Sequence, residues 1–442
     1  MPEEKIERSQ IAFDHLYLKV IWHILPLIVL CYVVSYIDRV NVSFAKLEMS
    51  ADLNISAAAY GFGAGIFFLG YFMFELPSNL IMHRVGARVW IARIMISWGV
   101  ISAAMAFIAP IAGFFGISTS VSFYILRFLL GVAEAGFFPG LILYFNYWFT
   151  SATHGRIMAL LLIAQPVSFI LGSPLSGGLM QLFAQSPHMH SWQWMFLIEG
   201  LPAVLLGFLI ILYLNNGIDD AKWLSSEEKS ELKRRLENDN ASKQDYPFGE
   251  LFKQPILWAL TLIYFLLVVG IYGINFWLPS LIKATGVTSL FSIGLVTAIP
   301  YLIGVVGMIL ATRKAEHSNR RKEFATFAAF VGGLGLIISA VFQDNLVLTT
   351  LGIALAVGGS MTVNALFWSF PGAIMKGAAI AAGIAAINSV GNLGGFAGPY
   401  ILGFLSDTLG TAQYGLIILG LCMATSGLLI AWKCANLRQA EQ

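Results

Sequence analysis

The run "SYIDRVNVSFAKL", residues 35–47, sets an aspartate and an arginine, Asp38 and Arg39, side by side before the first membrane-length apolar stretch has ended. Further on, "RFLLGVAEAG" holds Arg127 and Glu134 seven residues apart, and Glu75 and Glu199 stand within or at the edge of other apolar stretches. A charge at the centre of a spanning helix costs roughly 2.5–3.5 kcal/mol on insertion scales, so such groups face the protein interior, find partners and mark a pathway. Arg127 and Glu134 are two helical turns apart and share a face. Asp38 and Arg39 point about 100° apart, so one can face a cavity while the other meets a neighbouring helix. Arginine offers carboxylates a planar fork and does not give up its charge, which makes two intramembrane arginines a binding site for an anion. Carboxylates in low dielectric can take protons near neutral pH. Proton carriers and an anion clamp in one cavity are therefore the chemistry these residues offer; buried salt bridges that only lock the first and fourth helices together are the alternative.

Neutral polar groups extend the set. Tyr71, Gln165, Tyr272, Asn275, Asn364, Asn388 and Asn392 interrupt apolar helices, where each serves either as interhelical glue or as a substrate contact. Glu75, near the end of its helix, is expected to bond the basic turn that follows, and Glu199 to be structural. Trp277, Phe367 and Trp368 read as core or cavity wall.

The elements that must position these groups follow from composition. Of 442 residues, 58% are apolar and only 11% charged, against about a quarter charged in soluble domains. Apolar runs long enough for a bilayer, about 20 residues, predict an all-α integral membrane protein with twelve spans near 22–46, 58–82, 89–110, 119–148, 157–182, 194–214, 255–279, 289–312, 323–342, 346–373, 377–404 and 411–434. All but Arg39, Arg127, Lys46 and Lys283 of the 26 lysines and arginines fall in or beside one set of connections. The positive-inside rule then places both termini in the cytoplasm. The mixed charges of the first nineteen residues predict no cleaved signal peptide.

One long hydrophilic connection, 215–254, contains "WLSSEEKSELKRRLENDN". Ser225 with Glu228 reads as a capping box, and Leu232 and Leu236 as one face of a short amphipathic helix. It separates an amino-terminal six-helix bundle, 1–214, from a carboxy-terminal one, 255–442. Basic turns after the second and eighth spans, and the small-residue stretches "LGSPLSGG" and "NLGGFAGP" in the fifth and eleventh, suggest a weak internal repeat of the kind found in secondary transporters. Cys31, Cys422 and Cys434 lack metal or redox spacing and read as small apolar fillers. The chain has no H-E-x-x-H, G-x-S-x-G or G-K-[ST] run, so metal hydrolysis, serine hydrolysis and nucleotide-driven pumping lack their usual groups. No cofactor, metal or nucleic acid is called for, and a monomer is expected.

In this order and at these spacings, "DRVNVSFA", "ELPSNLIMHRVGARVWIAR", "RFLLGVAEAGFFPG", "WQWMFLIEG" and "AKWLSSEEK" resemble the anion:cation symporter family of the major facilitator superfamily. The resemblance spans essentially the whole chain and is tightest in its first half. His83 stands where other facilitators carry aspartate, the second basic turn "RKAEHSNRR" is degenerate, and the proline often found before the linker tryptophan is missing. The resemblance implies a proton-coupled importer of a small organic anion in a bacterial inner membrane: a sugar acid or other hydroxy acid, or an aromatic carboxylate. It implies that Arg39 and Arg127 contact the substrate carboxylate, that Asp38 and Glu134 are protonation sites, that Tyr71 and Gln165 are neighbouring contacts, and that Asn388 is a contact from the second half. Export of a metabolite or a drug through the same fold is the rival expectation.

Overall fold

A computed structural model describes residues 2–240, 252–374 and 379–433 of the protein. The chain begins with α1 (Pro2–Asp52), α2 (Ala57–Val85), α3 (Ala87–Ala104), α4 (Ile108–Phe115), α5 (Thr119–Glu134), α6 (Phe137–Asn146), α7 (Ser151–Leu182) and α8 (Ser191–Tyr213). The linker carries α9 (Ser226–Asn240). There follow α10 (Pro255–Ala284), α11 (Leu290–His317), α12 (Arg321–Val341), α13 (Leu346–Phe367), α14 (Ser369–Ile374), α15 (Ala379–Gly391), α16 (Gly394–Leu409) and α17 (Gln413–Lys433). No strand occurs among the described residues.

Local sequence sets many of these boundaries. Ser56, Ser118 and Ser289 accept the backbone N–H three residues on, and Asn345 does the same for Leu348, which caps α2, α5, α11 and α13. In the linker, Ser225 and Glu228 exchange side-chain to backbone bonds of 2.8 and 3.2 Å, the predicted capping box. Leu232 of α9 is buried. Residues 241–251 of the linker, Lys376 and Cys434 lie outside the described residues; Cys31 is buried and Cys422 half-buried.

Among the described residues, eleven helical segments are long and apolar enough to cross a membrane. The expected span 377–404 is built from α15 and α16, which meet at Asn392 and Leu393. The expected span 119–148 is also broken, into α5 and α6 at Ala135 and Gly136. Large apolar side chains such as Phe114, Leu171, Leu212, Phe327 and Val347 face outward, as contact with lipid tails requires.

Helix pairs that join the residues before the linker to those after it include α2 with α16, α7 with α11, α1 with α10 and, more lightly, α2 with α15. The first two are backbone-close. A Cβ on Gly403 would lie 2.2 Å from the Ala57 carbonyl oxygen, and one on Gly177 2.4 Å from that of Leu290. The small-residue stretches of the fifth and eleventh spans therefore lie at this junction, where small side chains let helices approach. Successive spans alternate in direction, so the molecule has a linker end, carrying α9, and a far end, where α1 passes into α2.

Candidate functional site

Arg39 and Asp38 leave α1 toward different neighbours. The Arg39 guanidinium reaches α5, where Nη2 donates to Glu134 Oε1, and its Nη1 lies 3.5 Å from the Tyr272 hydroxyl of α10. Rings enclose it: its central carbon is 4.9 Å from the centre of Tyr36, 5.3 Å from Phe67 and 5.7 Å from Tyr71. Burial is incomplete, since 13% of the Arg39 side chain stays accessible, while Nε is buried with no acceptor. This guanidinium thus holds one carboxylate and has hydrogen-bonding capacity to spare.

Glu134 is positioned by a break. It is the last residue of α5; Ala135 turns to an extended backbone and Gly136 takes φ 83°, a left-handed conformation that glycine adopts without strain. A Cβ on Gly136 would sit 2.4 Å from Ser78 Oγ of α2, so only glycine fits the corner. Broken helices that place polar groups at mid-membrane are a transporter device.

Arg127, two turns before Glu134, is also directed at Phe67, 5.1 Å from its ring centre, so two guanidinium groups lie close to one ring. Its donors go to backbone: Nη2 to Ala64 O at 3.2 Å and Nε to Gly63 O at 3.4 Å. It is fully enclosed. Close packing makes this possible, because a Cβ on Gly131 would lie 2.0 Å from Phe67 O and push α5 away from α2.

Asp38 faces α3 and accepts three neutral donors: Trp98 Nε1 at 2.6 Å, Ser102 Oγ at 3.0 Å and Asn41 Nδ2 at 3.2 Å. Glu199 lies in the same region and accepts from Ser176 Oγ at 2.7 Å. Glu75 departs from expectation. Its Oε2 accepts from Ser389 Oγ of α15 at 2.8 Å, across to the second half, and not from the basic turn, because it leaves α2 on the face that packs α15.

The neutral candidates divide. Tyr71 and Tyr272 are buried around Arg39. Asn275 accepts from the Tyr301 hydroxyl at 2.9 Å, and Tyr301 stacks on Phe169 at 4.4 Å, which ties Asn275 to α11 and α7. Gln165, Asn364, Asn388 and Asn392 are half-buried, and Asn364 Oδ1 has no donor. Trp277 and Phe367 are buried and Trp368 half-buried, as expected of a wall.

Sequence reading missed a second cluster at the far end. Lys46 Nζ rests 2.9 Å from the centre of Trp277, Tyr60 OH donates to Phe276 O at 3.0 Å, and Lys283 Nζ donates to Leu47 O at 2.9 Å. Asp407 of α16 accepts the first backbone N–H groups of α2, from Ala57 and Ala58, at 3.0 and 2.7 Å. These contacts join the two halves there. A single lysine inside an apolar run was the available signal for Lys46; nothing local marks Asp407 as the cap of a helix 350 residues away.

A profile of the Major Facilitator Superfamily matches residues 28–399. The chain is 40% identical over 417 residues to a Pseudomonas putida protein named as the metabolite transport protein NicT, covering 94% of this chain and 93% of that one. It is 42% identical over 404 residues to a protein named as a tartrate transporter in Agrobacterium vitis, covering 90% of each. It is 40% identical over 408 residues to a quinolone resistance transporter of Acinetobacter baumannii, covering 91% of each. Among solved structures, an inward-open form of the xylose transporter XylE from E. coli matches in fold, with TM-score 0.74 at 15% identity over 93% of this chain and 96% of that one.

Proposed function

We propose, from the premise that this chain belongs to the Major Facilitator Superfamily and is a multi-pass membrane transporter, that it is a proton-coupled symporter importing a small organic anion. A sugar acid or other hydroxy acid is the substrate class. The observation that carries the reading is the Arg39–Glu134 pair at the α5 break, bordered by Tyr272 from the second half. The names of the tartrate and metabolite transporters support the substrate class. In this reading the linker end is cytoplasmic, the membrane is a bacterial inner membrane, and residues 1–214 and 255–442 form two six-helix units that rock as a monomer about the site.

Electrostatics favours a proton partner. A cytoplasm negative by 100 mV opposes entry of one negative charge by about 2.3 kcal/mol. One accompanying proton cancels a monocarboxylate's charge, and a second makes the step electrically favourable. Ionised Glu134 holds Arg39; protonation of Glu134 frees the guanidinium, and the substrate carboxylate replaces the lost countercharge. Empty and deprotonated, or loaded and protonated, the site is balanced. Half-loaded states leave a buried charge unpaired and are disfavoured, which couples the two fluxes. Arg127 adds a second positive charge behind Phe67, Asp38 is the second protonation site, and Tyr71, Gln165, Asn275, Asn364, Asn388 and Asn392 supply hydroxyl-binding groups.

The test is Glu134→Gln in proteoliposomes with tartrate as the probe. Accumulation driven by a pH gradient is expected to disappear while tartrate exchange persists; unchanged accumulation removes Glu134 as the carrier. Arg39→Lys keeps charge and loses the fork, and should weaken binding sharply. The name of the Acinetobacter relative favours a second reading, drug export, and a quinolone offered in the same assay decides it: efflux without anion uptake would replace the first reading.

A further inference from the structure

On the side of α1 turned away from Arg39 the helix carries a second set of polar groups. Asp38, Asn41, Glu48 and Asp52, with the apolar Ala45 between Asn41 and Glu48, fall along one side of the helix. The set runs from the middle of α1 to its far end, and α8 answers it. Trp192 Nε1 donates to Asp52 Oδ2 at 2.7 Å, Ser191 Oγ donates to Glu48, and Glu199, two turns deeper, is buried near Asn41 and Asp38. At the far end the seam opens into a cavity of about 520 Å³ whose walls include Glu48, Asp52, His190 and Ser191. Glu48 and Asp38 are ten residues apart, roughly 15 Å of helix.

Two buried acceptors in this seam lack donors. Glu199 Oε2 and Asn41 Oδ1 have no hydrogen-bond partner, although Glu199 is only 3% exposed and Asn41 fully buried. The hydrogen-bond partners of both acids are neutral: Ser176 from α7 for Glu199; Trp98 and Ser102 from α3 and Asn41 from α1 for Asp38. The charged groups that act on Asp38 from α5 are Arg127 and Glu134. A buried acceptor without a donor is costly, and a hydrogen on Glu199 Oε2 supplies the donor this region lacks.

We infer that the seam between α1 and α8 is a proton-entry path, separate from the substrate chamber, in which Glu199 carries a proton from the Glu48–Asp52 cavity to Asp38. One proton leaves a hydronium ion in the cavity, which becomes water, and binds ionised Glu199, which rests in this protonated form. It then passes to Asp38, returning Glu199 to the carboxylate, while Ser176 and Asn41 hold the two side chains. Asp38 adjoins Arg39 in the chain, so its change of charge is felt at the clamp without water crossing the substrate route. The transport consequence rests on the proton-coupled reading above; the protonation of Glu199 does not.

The experiment has two arms. Infrared spectra of the purified wild type in liposomes at neutral pH, without substrate, are compared with those of Glu199→Gln; the carbonyl-stretch band of a protonated carboxyl group is expected to be lost in the variant. No change in that region overturns the proposal, whatever the protein transports. In the second arm, tartrate uptake driven by an imposed pH gradient is followed with an internal pH dye. Glu199→Gln should slow it on the order of a hundredfold, the low end of what a positioned proton-transfer group contributes, and Glu48→Gln, at the mouth, should slow it less. Wild-type rates in both variants overturn the path and leave the symport reading standing. Absence of proton-linked uptake in the wild type overturns that reading instead, and the infrared arm then decides the path alone.

Discussion

The two sides of α1 use charge in opposite ways. Toward α5, Arg39 is paired with Glu134, ringed by three aromatic side chains, partly accessible, and left with an unused N–H. Toward α3 and α8, Asp38 is sealed and meets only neutral donors. An ion pair with spare donor capacity can exchange partners, since an incoming carboxylate can replace the one it has. A carboxylate surrounded by fixed neutral donors has nothing to exchange except a hydrogen ion. One helix thus presents an anion-binding face and, one residue away, a proton-holding face.

The strongest way to break this contrast is Arg39→Ala. Loss of a charge-stabilising donor of this kind costs roughly 10²–10³-fold in rate, so tartrate uptake should fall by about that much. The melting temperature should move little, because Glu134 can take a proton once its partner is gone. A large thermal loss with modest loss of uptake would make Arg39 a structural lock.

Asp38→Leu should reduce proton-driven uptake too, but with a large thermal cost that Arg39→Ala lacks. Trp98, Ser102 and Asn41 would lose their shared acceptor, and unsatisfied buried donors cost about 1–3 kcal/mol, enough to lower the melting temperature clearly. If Asp38→Leu melts like the wild type, Trp98, Ser102 and Asn41 do not depend on Asp38 as their acceptor. Tyr301→Phe, which removes the donor to Asn275, sharpens the picture on the second half at about 1 kcal/mol. It should also free Asn275, and substrate preference should shift if that residue binds a substrate hydroxyl as proposed.

The smallest effect is expected at the linker end. Lys19 bonds Glu228 at 2.8 Å, and that bond holds the Glu228 carboxyl below its ordinary range. A lowered carboxyl contributes stability that is present above the unfolded value and lost as pH falls through the folded one. The pair is partly exposed, so Lys19→Ala should cost about 0–1 kcal/mol. Its effect on melting should be seen at neutral pH and vanish in acid. An effect that grows in acid would reverse the sign and place the coupling elsewhere.

Much of this was legible in residue types. Intramembrane Arg39 and Glu134 announced themselves by their cost in lipid, and the capping box at Ser225 lay within four residues. Glu75 was misassigned because the nearest polar turn in sequence is not its nearest neighbour in space; Ser389 lies 314 residues away. The breaks after Glu134 and around Asn392 were hidden inside apolar runs whose hydropathy is continuous across them.

The sequence by itself determined that this chain crosses a membrane many times with charges inside it, because hydrocarbon penalises polar groups wherever they fall and composition reveals that penalty. It also determined that Asp38 and Arg39 face different neighbours, since helical geometry rotates successive residues. Only the tertiary structure decided which neighbours those are: Glu134 and Tyr272 for one, Trp98 and Ser102 for the other, and backbone carbonyls for Arg127. Partner choice depends on which helix backbones can approach, and that is set by contacts such as Gly131 against Phe67, between segments that the order of residues does not bring together.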